Sequence, residues 1–192
     1  MKLIIRSTLY VIVTTVILGG LYPLAVYAAG QLLWPAKANG SFVAAGGPPV
    51  GSELIGQAFA KPKYLHPRPS AAGKTGYDAT SSGGTNKGPT DADLAKAVGA
   101  AVEEARKDRP GDSRPVPADL VTSSGSGLDP HLSPDAARWQ AARVAKARGV
   151  TEEAVLAIIE RHVEGRTLGL WGEPRVNVLA TNLDLDTTLS RK

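Results

Sequence analysis

The sequence has little that could build a large core or support thiol chemistry. Among its 192 residues there is no cysteine, and there are only two phenylalanines and three tryptophans. The absence of cysteine excludes disulfide bonds and is compatible with either side of a membrane. By contrast, 21 glycines and 14 prolines indicate many turns. We therefore expect a small core and long loops.

Clusters of charge of one sign are also missing. When Lys2 and Arg6 are set apart, 20 basic residues stand against 18 acidic residues, so the rest of the chain carries a formal charge of +2. The basic runs at 106–109 and 143–148 are interspersed with an acid or with alanines, which is typical of solvated helix faces. This pattern predicts no nucleic-acid partner.

One uncharged apolar segment dominates the amino-terminal part. No Asp, Glu, Lys, Arg or His occurs from Ser7 to Ala36. A helix over 7–29 would be about 35 Å long, enough to cross a hydrocarbon core of about 30 Å. The lipid bilayer is therefore a predicted partner. We predict a cytoplasmic terminus at 1–6, a transmembrane helix at 7–29, a linker at 30–50 and an extracytoplasmic domain at 51–192.

The flanking charges predict the orientation of this helix. Lys2 and Arg6 precede it, whereas only Lys37 follows it closely. The amino terminus should thus stay in the cytoplasm, with the domain on the periplasmic or outer face of the cell (inner) membrane. The alternative is a secretory signal cleaved after Ala28, which would leave a secreted protein such as a hydrolase.

Small residues and a proline mark the middle of the predicted span. Gly19 and Gly20 form a smooth patch that allows another helix to approach closely. Pro23 removes one backbone donor, so we expect a kink in the outer third, with the carbonyls near Gly19 finding other partners.

The rest of the chain predicts an α+β fold class, in which one transmembrane helix precedes a single mixed domain with long Gly/Pro-rich loops. Helix caps, glycine or proline stops and alternating apolar residues mark its elements. The predicted helices run from a Thr90 cap with Asp93 in a capping box to Pro110-Gly111, from a Ser133 cap to Gly149, and from a Thr151 cap to Gly165 with Val155, Ile158, Ile159 and Val163 buried. The predicted strands are Arg175 to Thr181 and two brief ones near Leu54-Ile55 and Ala58-Phe59.

Motifs for common catalytic sites are incomplete. The segment 73–76, Gly-Lys-Thr-Gly, has Arg68 in place of the P-loop glycine, and Gly73 stands where a P-type ATPase needs its phosphorylated aspartate. The segment 124–128 lacks the outer glycines of a nucleophile elbow. Asp129 and His131 have no third ligand nearby and make a poor metal site, so we expect a turn in which His131 bonds locally. We expect neither catalysis nor a metal.

Several motifs in a fixed order resemble the KdpC family, the small subunit of Kdp-type potassium-transporting P-type ATPases. The likeness covers the membrane helix and nearly all of the remaining chain. Small departures are Leu65, Thr85 and Lys87. The matching motifs are Gly56-Gln57-Ala58-Phe59, Tyr64, Arg68-Pro69-Ser70-Ala71, Ser82-Gly83-Gly84-Thr85-Asn86, Gly88-Pro89-Thr90, Val116 to Thr122, Ser124 to His131, Gln140, Arg143-Val144-Ala145 and Gly172 to Leu179.

This resemblance implies a non-catalytic accessory subunit of an ATP-driven, high-affinity potassium uptake complex. Its implied partners are a channel-like potassium-binding subunit and a phosphorylated ATPase subunit. No cofactor would bind this chain stably, because ATP and Mg act at the ATPase subunit and K+ is the transported ion. The family is described as a catalytic chaperone that raises ATP affinity, with the glutamine matching Gln140 touching nucleotide.

The predicted orientation conflicts with that nucleotide contact. Gln140 should lie outside the cell, separated from ATP by a hydrocarbon layer of about 30 Å. An effect on ATP would then require a coupling free energy of about 1 to 3 kcal/mol, passed through the membrane subunits.

We expect the membrane helix to pack against the channel-like subunit and the exported loops to cover its outer entrance. Acidic side chains near that entrance would attract cations within about 8 Å. Turn formation and capping are the alternative roles of the same residues, and a membrane-anchored envelope scaffold or solute-binding module is the alternative function. The candidate residues are Gly19 and Gly20 for membrane packing; Ser82, Gly83, Gly84, Asn86, Ser124 and Gly125 in the loops; and Asp119, Asp129 and Glu173 for cation attraction.

Overall fold

The computed structural model describes residues 1–44 and 46–189 in two units, which divide between Phe42 and Val43. Position 45 of the predicted linker and positions 190–192 of the predicted domain lie outside the described residues.

The first unit is one long apolar helix followed by a short one. The long helix consists of α1 (Lys2–Val16), a π-helical turn (Ile17–Leu21) and α2 (Tyr22–Leu33), and α3 (Pro35–Ala38) follows. Residues Lys2–Leu33 form the one candidate membrane span among the described residues, by length and composition. The helix is therefore longer than the predicted 7–29 at both ends.

The π-helical turn is the local response to Pro23. Proline has no N–H to donate to the carbonyl of Gly19, so the regular ladder cannot continue there. The Tyr22 N–H instead donates to the carbonyl of Ile17, five residues earlier. This wider turn absorbs the missing donor and keeps the helix continuous.

The second unit combines small sheets with helices, in agreement with the predicted α+β class. A three-stranded antiparallel sheet has the order β3-β5-β4, with Leu132 and Val163 both opposite Val176. A two-stranded sheet pairs β1 with β2. The strands are β1 (Phe42–Ala44), β2 (Pro49–Ser52), β3 (His131–Leu132), β4 (Val163–Glu164) and β5 (Arg175–Asn177), and the helices are α4 (Ala92–Arg106), a 3-10 turn (Ala118–Leu120), α5 (Pro134–Trp139), α6 (Ala141–Arg148), α7 (Glu152–Arg161) and α8 (Val178–Thr188).

The core lies where α5 to α8 pack against one another and against β5. Alanines contribute much of it, which lets the helices approach closely. The predicted stripe of α7 is buried at Val155, Ile158 and Ile159. The core cluster comprises Leu65, Leu132, Ala136, Ala137, Ala141, Val144, Ala145, Val155, Ile158, Ile159, Val176, Val178 and Leu185.

The helix caps show where local sequence signals suffice. The Ser133 and Thr151 side chains accept backbone N–H groups and begin α5 and α7 as predicted. Gly149, with φ +67°, ends α6 as predicted. For α4 the predicted Thr90 cap is wrong by one residue, because the Asp91 carboxylate accepts two backbone N–H groups.

Two further predicted helices differ from the structure. The helix predicted from Ser133 to Gly149 is interrupted at Gln140, where the backbone has φ −82° and ψ −9°. The helix predicted to end at Gly165 ends at Arg161, and Val163 lies in β4. The interruption at Gln140 matters because this side chain holds a distant segment.

The predicted strand from Arg175 to Thr181 is wrong beyond Asn177. The Asn177 side chain accepts the Ala180 N–H at 3.0 Å and caps α8, so the following residues are helical. The alternation of Val176, Val178 and Ala180 is typical of a strand, which is why the predicted strand was too long.

The two brief strands predicted near Leu54-Ile55 and Ala58-Phe59 are also absent from the described structure. The Ser52 hydroxyl accepts the Leu54 N–H at 3.1 Å and turns the chain there. The strands lie earlier, in β1 and β2, within or next to the segment predicted to be a linker.

Candidate functional site

Two loops that are far apart in sequence meet in the second unit. The Gly83 N–H donates to the Ser126 carbonyl at 2.8 Å, and the Ser82 hydroxyl donates to the same oxygen at 3.0 Å. A Cβ built on Gly84 would lie 3.2 Å from the Gly125 carbonyl oxygen. We call residues 82–86 and 123–129 the paired loops. The structure thus brings together the two candidate loops that the sequence suggested.

Gly127 holds the tightest position in the paired loops. Its backbone has φ +67°, and a Cβ built on it would lie 2.6 Å from both the Ala72 nitrogen and the Gly83 carbonyl oxygen. Asn86 also has a positive φ of 54°, whereas Gly83, Gly84 and Gly125 do not adopt this conformation. Within the paired loops, the left-handed backbone conformation is therefore adopted at Gly127 and Asn86.

Ser70 joins the paired loops to the preceding segment. Its hydroxyl donates to the Gly127 carbonyl at 2.6 Å and accepts the Tyr77 N–H at 2.7 Å. The Tyr77 hydroxyl donates to the Arg68 carbonyl at 2.7 Å. Burial raises the pKa of Tyr77 to about 12, so this hydroxyl stays protonated and can donate.

Arg68 is the main cross-link to the second of the paired loops. Its guanidinium donates to the Ser123 carbonyl at 3.2 Å and to the Asp129 carboxylate at 3.2 Å. Bonds of 3.4 Å reach both the carbonyl and the hydroxyl of Thr122, and Asp119 lies 4.0 Å away. A single planar cation thus fixes the loop at several points.

Asp129 and Asp119 both have structural partners. Asp129 accepts the His131 N–H at 3.0 Å, which confirms the expected local turn, and Asp119 accepts the Ser133 N–H at 2.8 Å. Burial tends to raise the pKa of Asp129, but hydrogen bonds from His131 and Arg68 outweigh it and hold the pKa below its usual value. Two carboxylates beside Arg68 leave this cluster a formal charge of −1. No group of three potential metal ligands occurs among the described residues.

The remaining sequence candidates lie elsewhere. Glu173 belongs to the connection between β4 and β5, where it forms an ion pair with Arg166 at 2.7 Å. Gly19 and Gly20 lie in the π-helical turn of the first unit. A Cβ built on Gly20 would meet nothing within 4 Å, so this patch is open for a neighbouring helix.

Gln140 is buried, with only 2 % of its surface exposed. Its amide oxygen accepts the His66 N–H at 2.8 Å and its amide nitrogen donates to the His66 carbonyl at 3.0 Å. Arg143 donates to the same amide oxygen at 2.6 Å. These hydrogen bonds of the Gln140 side chain are therefore all made within the second unit.

The neighbouring residue is held in the same way. The Leu65 N–H donates to the Asn182 amide oxygen at 2.8 Å, and the Asn182 nitrogen donates to the Leu65 carbonyl at 2.9 Å. Two buried amide side chains, from α8 and from the junction of α5 and α6, thus bind consecutive backbone units as a neighbouring strand would. We call this arrangement the double amide clasp, formed by Gln140 and Asn182 on His66 and Leu65.

A small cavity of about 210 Å³ lies beside the clasp and beneath α4. Its wall includes His66, Gln140, Arg143 and Asp108. Arg143 and Asp108, which both line it, form an ion pair at 3.0 Å. Burial, together with the nearby charge of Arg143, lowers the pKa of His66.

The residues that hold these loops together are not evident from the sequence. Arg68 and Ser70 were noted only as parts of a motif, and Tyr77 and Asn182 were not considered. The available signal was a charged or polar residue, such as Arg68 or Ser70, close in sequence to a glycine-containing segment. Such a signal does not identify a partner more than 50 residues away, as Arg68 has in Ser123.

Comparison with known proteins gives a consistent result over most of the chain. The family model for KdpC, described as the c chain of the K+-transporting ATPase, matches residues 4–187. A protein of Myxococcus xanthus is 58 % identical, covering 91 % of this chain and 83 % of its own length. A protein of Rhodospirillum rubrum is 55 % identical, covering 90 % and 89 %, and one of Koribacter versatilis is 49 % identical, covering 97 % and 95 %. Each is named as a potassium-transporting ATPase KdpC subunit.

Proposed function

The chain belongs to the KdpC family, and from this premise we propose that it helps to assemble and stabilise an ATP-driven potassium uptake complex without catalysing a reaction itself. Its partners in this proposal are a channel-like potassium-binding subunit and a phosphorylated ATPase subunit. The chain raises the ATP affinity of the latter. It binds no cofactor stably, while ATP and Mg act at the ATPase subunit.

The location in this proposal is the cell (inner) membrane, with the amino terminus in the cytoplasm and the second unit outside. The support is the apolar helix Lys2–Leu33, which has cations at its amino-terminal end. Gly19 and Gly20 pack against a helix of the channel-like subunit, where small residues allow close contact.

The meeting of the paired loops is the observation that carries the functional proposal. Ser82, Asn86 and Gly125 remain exposed, while Gly127 beneath them is buried. Arg68 and Ser70 hold this surface from below, so the loops offer a preorganised face and lose little entropy when a partner binds. The proposed partner surface is the outer entrance of the channel-like subunit.

The effect on ATP is proposed to be indirect. Gln140 is 2 % exposed and bonded to His66 and Arg143, which supports a role in the shape of the second unit. A coupling of about 1 to 3 kcal/mol through the membrane subunits is sufficient for a several-fold change in ATP affinity.

In this proposal Asp119, Asp129 and Glu173 attract cations toward the entrance. The first two share Arg68, and Glu173 pairs with Arg166, so their field is reduced. Replacing all three by amides should raise the potassium concentration needed for half-maximal transport. An unchanged concentration dependence contradicts the attraction.

Two experiments test the function and the location. Extraction in mild detergent should yield the chain in a stoichiometric complex with two larger multi-span proteins, whereas an envelope scaffold should extract alone. Because the chain has no cysteine, Ser81→Cys and Ile4→Cys introduce single labelling sites. An impermeant thiol reagent should label the first variant in whole cells and the second only after the inner membrane is opened. The reverse pattern contradicts the orientation.

A further inference from the structure

The connection between β4 and β5 is a hairpin closed by backbone hydrogen bonds. Thr167 and Trp171 face each other across it. The Thr167 N–H donates to the Trp171 carbonyl at 2.8 Å, and the Trp171 N–H donates to the Thr167 carbonyl at 3.1 Å. Two ion pairs brace its stem, Arg166 with Glu173 at 2.7 Å and Arg175 with Glu164 at 2.8 Å. The hairpin therefore presents its end in a defined conformation.

The end of this hairpin is apolar and exposed. Leu168 is 82 % exposed, Leu170 is 70 % exposed and Trp171 is 63 % exposed. We call these three residues the hairpin tip. Tryptophan is enriched among the residues that dominate binding energy at protein interfaces, and a contiguous exposed apolar patch on a folded domain marks an interaction site.

The backbone of Leu168 strengthens this interpretation. Its φ of +54° lies in the left-handed region, which disfavours residues with a Cβ, whereas the next residue, Gly169 at +74°, adopts it freely. A glycine or asparagine at position 168 would fit the turn better. The leucine side chain is not buried within the chain, so the folded unit itself gains little from it. Contact between this side chain and another molecule accounts for a leucine at this position.

We propose that the hairpin tip inserts into an apolar pocket on the extracytoplasmic side of another subunit of the complex, an inference that rests on the proposed function. The charges around the tip decide between a protein and a lipid surface. Arg166 and Arg175 are both paired with glutamates, so the tip has a neutral polar rim. Such a rim around apolar anchors is the anatomy of a protein interface. A segment that inserts into an anionic bilayer surface instead carries unpaired basic residues.

A photo-crosslinking amino acid at position 170 in the intact complex tests this assignment. Illumination of detergent-extracted complex should join the chain to a larger subunit. A product containing lipid, a product containing a second copy of this chain, or the absence of any product overturns the proposal. Extraction of the unaltered chain without larger proteins would instead contradict the proposed function, so the two failures are distinguishable.

Substitutions give a second, independent measurement. Leu168→Gly removes a side chain and relieves the left-handed backbone, so it should leave folding intact. Together with Trp171→Ala it should increase the rate at which the chain dissociates from the extracted complex by at least about tenfold. Leu54→Ala is the matched control, because Leu54 is also exposed, at 59 %, and lies elsewhere in the unit. Equal dissociation rates for the control and the tip variants overturn the proposal.

Discussion

Gly127 lies so close to Ala72 that a Cβ built on it would be 2.6 Å from the Ala72 backbone nitrogen. The position also has φ +67°. We therefore predict that Gly127→Ala lowers the free energy of unfolding by at least about 2 kcal/mol, since both the backbone conformation and the contact become strained. Denaturant unfolding of the full chain in detergent measures this change.

Gly125→Ala is the control for that prediction. Gly125 is in the same loop, but a Cβ built on it would meet nothing within 4 Å. Its substitution should alter the free energy of unfolding by less than about 0.5 kcal/mol. Equal effects of the two substitutions would show that the close approach of Gly127 is not what joins the paired loops.

Arg68 should be more important to stability than an exposed cation. Arg68→Met leaves the Asp129 carboxylate, which is part-buried, without its cation and removes the donors to Ser123. We expect a loss of about 2 to 4 kcal/mol in the free energy of unfolding. Lys107→Met is the comparison, because Lys107 pairs with Glu104 on the surface and should contribute less than about 0.5 kcal/mol. Similar losses for both would contradict the cross-linking role.

Gln140 tests whether the double amide clasp is structural. Gln140→Leu keeps most of the volume but leaves the N–H and carbonyl of His66 without their partners. We expect a loss of about 1 to 3 kcal/mol of stability, because two part-buried backbone groups become unsatisfied. Asn182→Leu should have an effect of similar size through Leu65. A stable Gln140→Leu variant whose complex nonetheless has weakened ATP affinity would favour direct nucleotide contact.

His66 should make stability fall in mild acid. Its pKa in the folded chain is below the usual value of about 6.5, because burial and Arg143 disfavour the imidazolium. The unfolded chain then binds more protons, so this contribution is complete above about pH 6.5 and is lost as pH falls toward the folded pKa. His66→Gln should flatten the dependence of melting temperature on pH between about 7 and 5. An unchanged slope in the His66→Gln variant contradicts this contribution.

Local signals predicted part of the fold and missed the rest for identifiable reasons. The apolar helix, the Ser133 and Thr151 caps and the stop at Gly149 depend on neighbouring residues, so the sequence contained enough information. The C-terminal helix α8 was missed because apolar residues on both sides of Asn177 alternate as in a strand. The capping ability of Asn177 was the signal that distinguished the two.

The sequence predicted which loops belong to the candidate site, but it did not predict how they contact one another. Both glycine- and serine-rich loops were identified, yet nothing local showed that Ser82 and Gly83 meet Ser126. The cross-links from Arg68 and Ser70 depend on tertiary geometry. For Asp119 and Asp129 the sequence left cation attraction and turn formation as alternatives, whereas the structure gives each carboxylate a backbone N–H to accept.

The segment 65–70 has neither helix nor strand, although three distant regions bind it. Asn182 of α8 binds Leu65, Gln140 binds His66, and Arg68 and Ser70 bind the second of the paired loops. Six residues span at most about 20 Å, so the chain itself keeps the anchor at Leu65 and the anchor at Ser70 within that distance. The C-terminal helix and the loop surface are therefore both attached to one short covalent segment that lies outside the sheet.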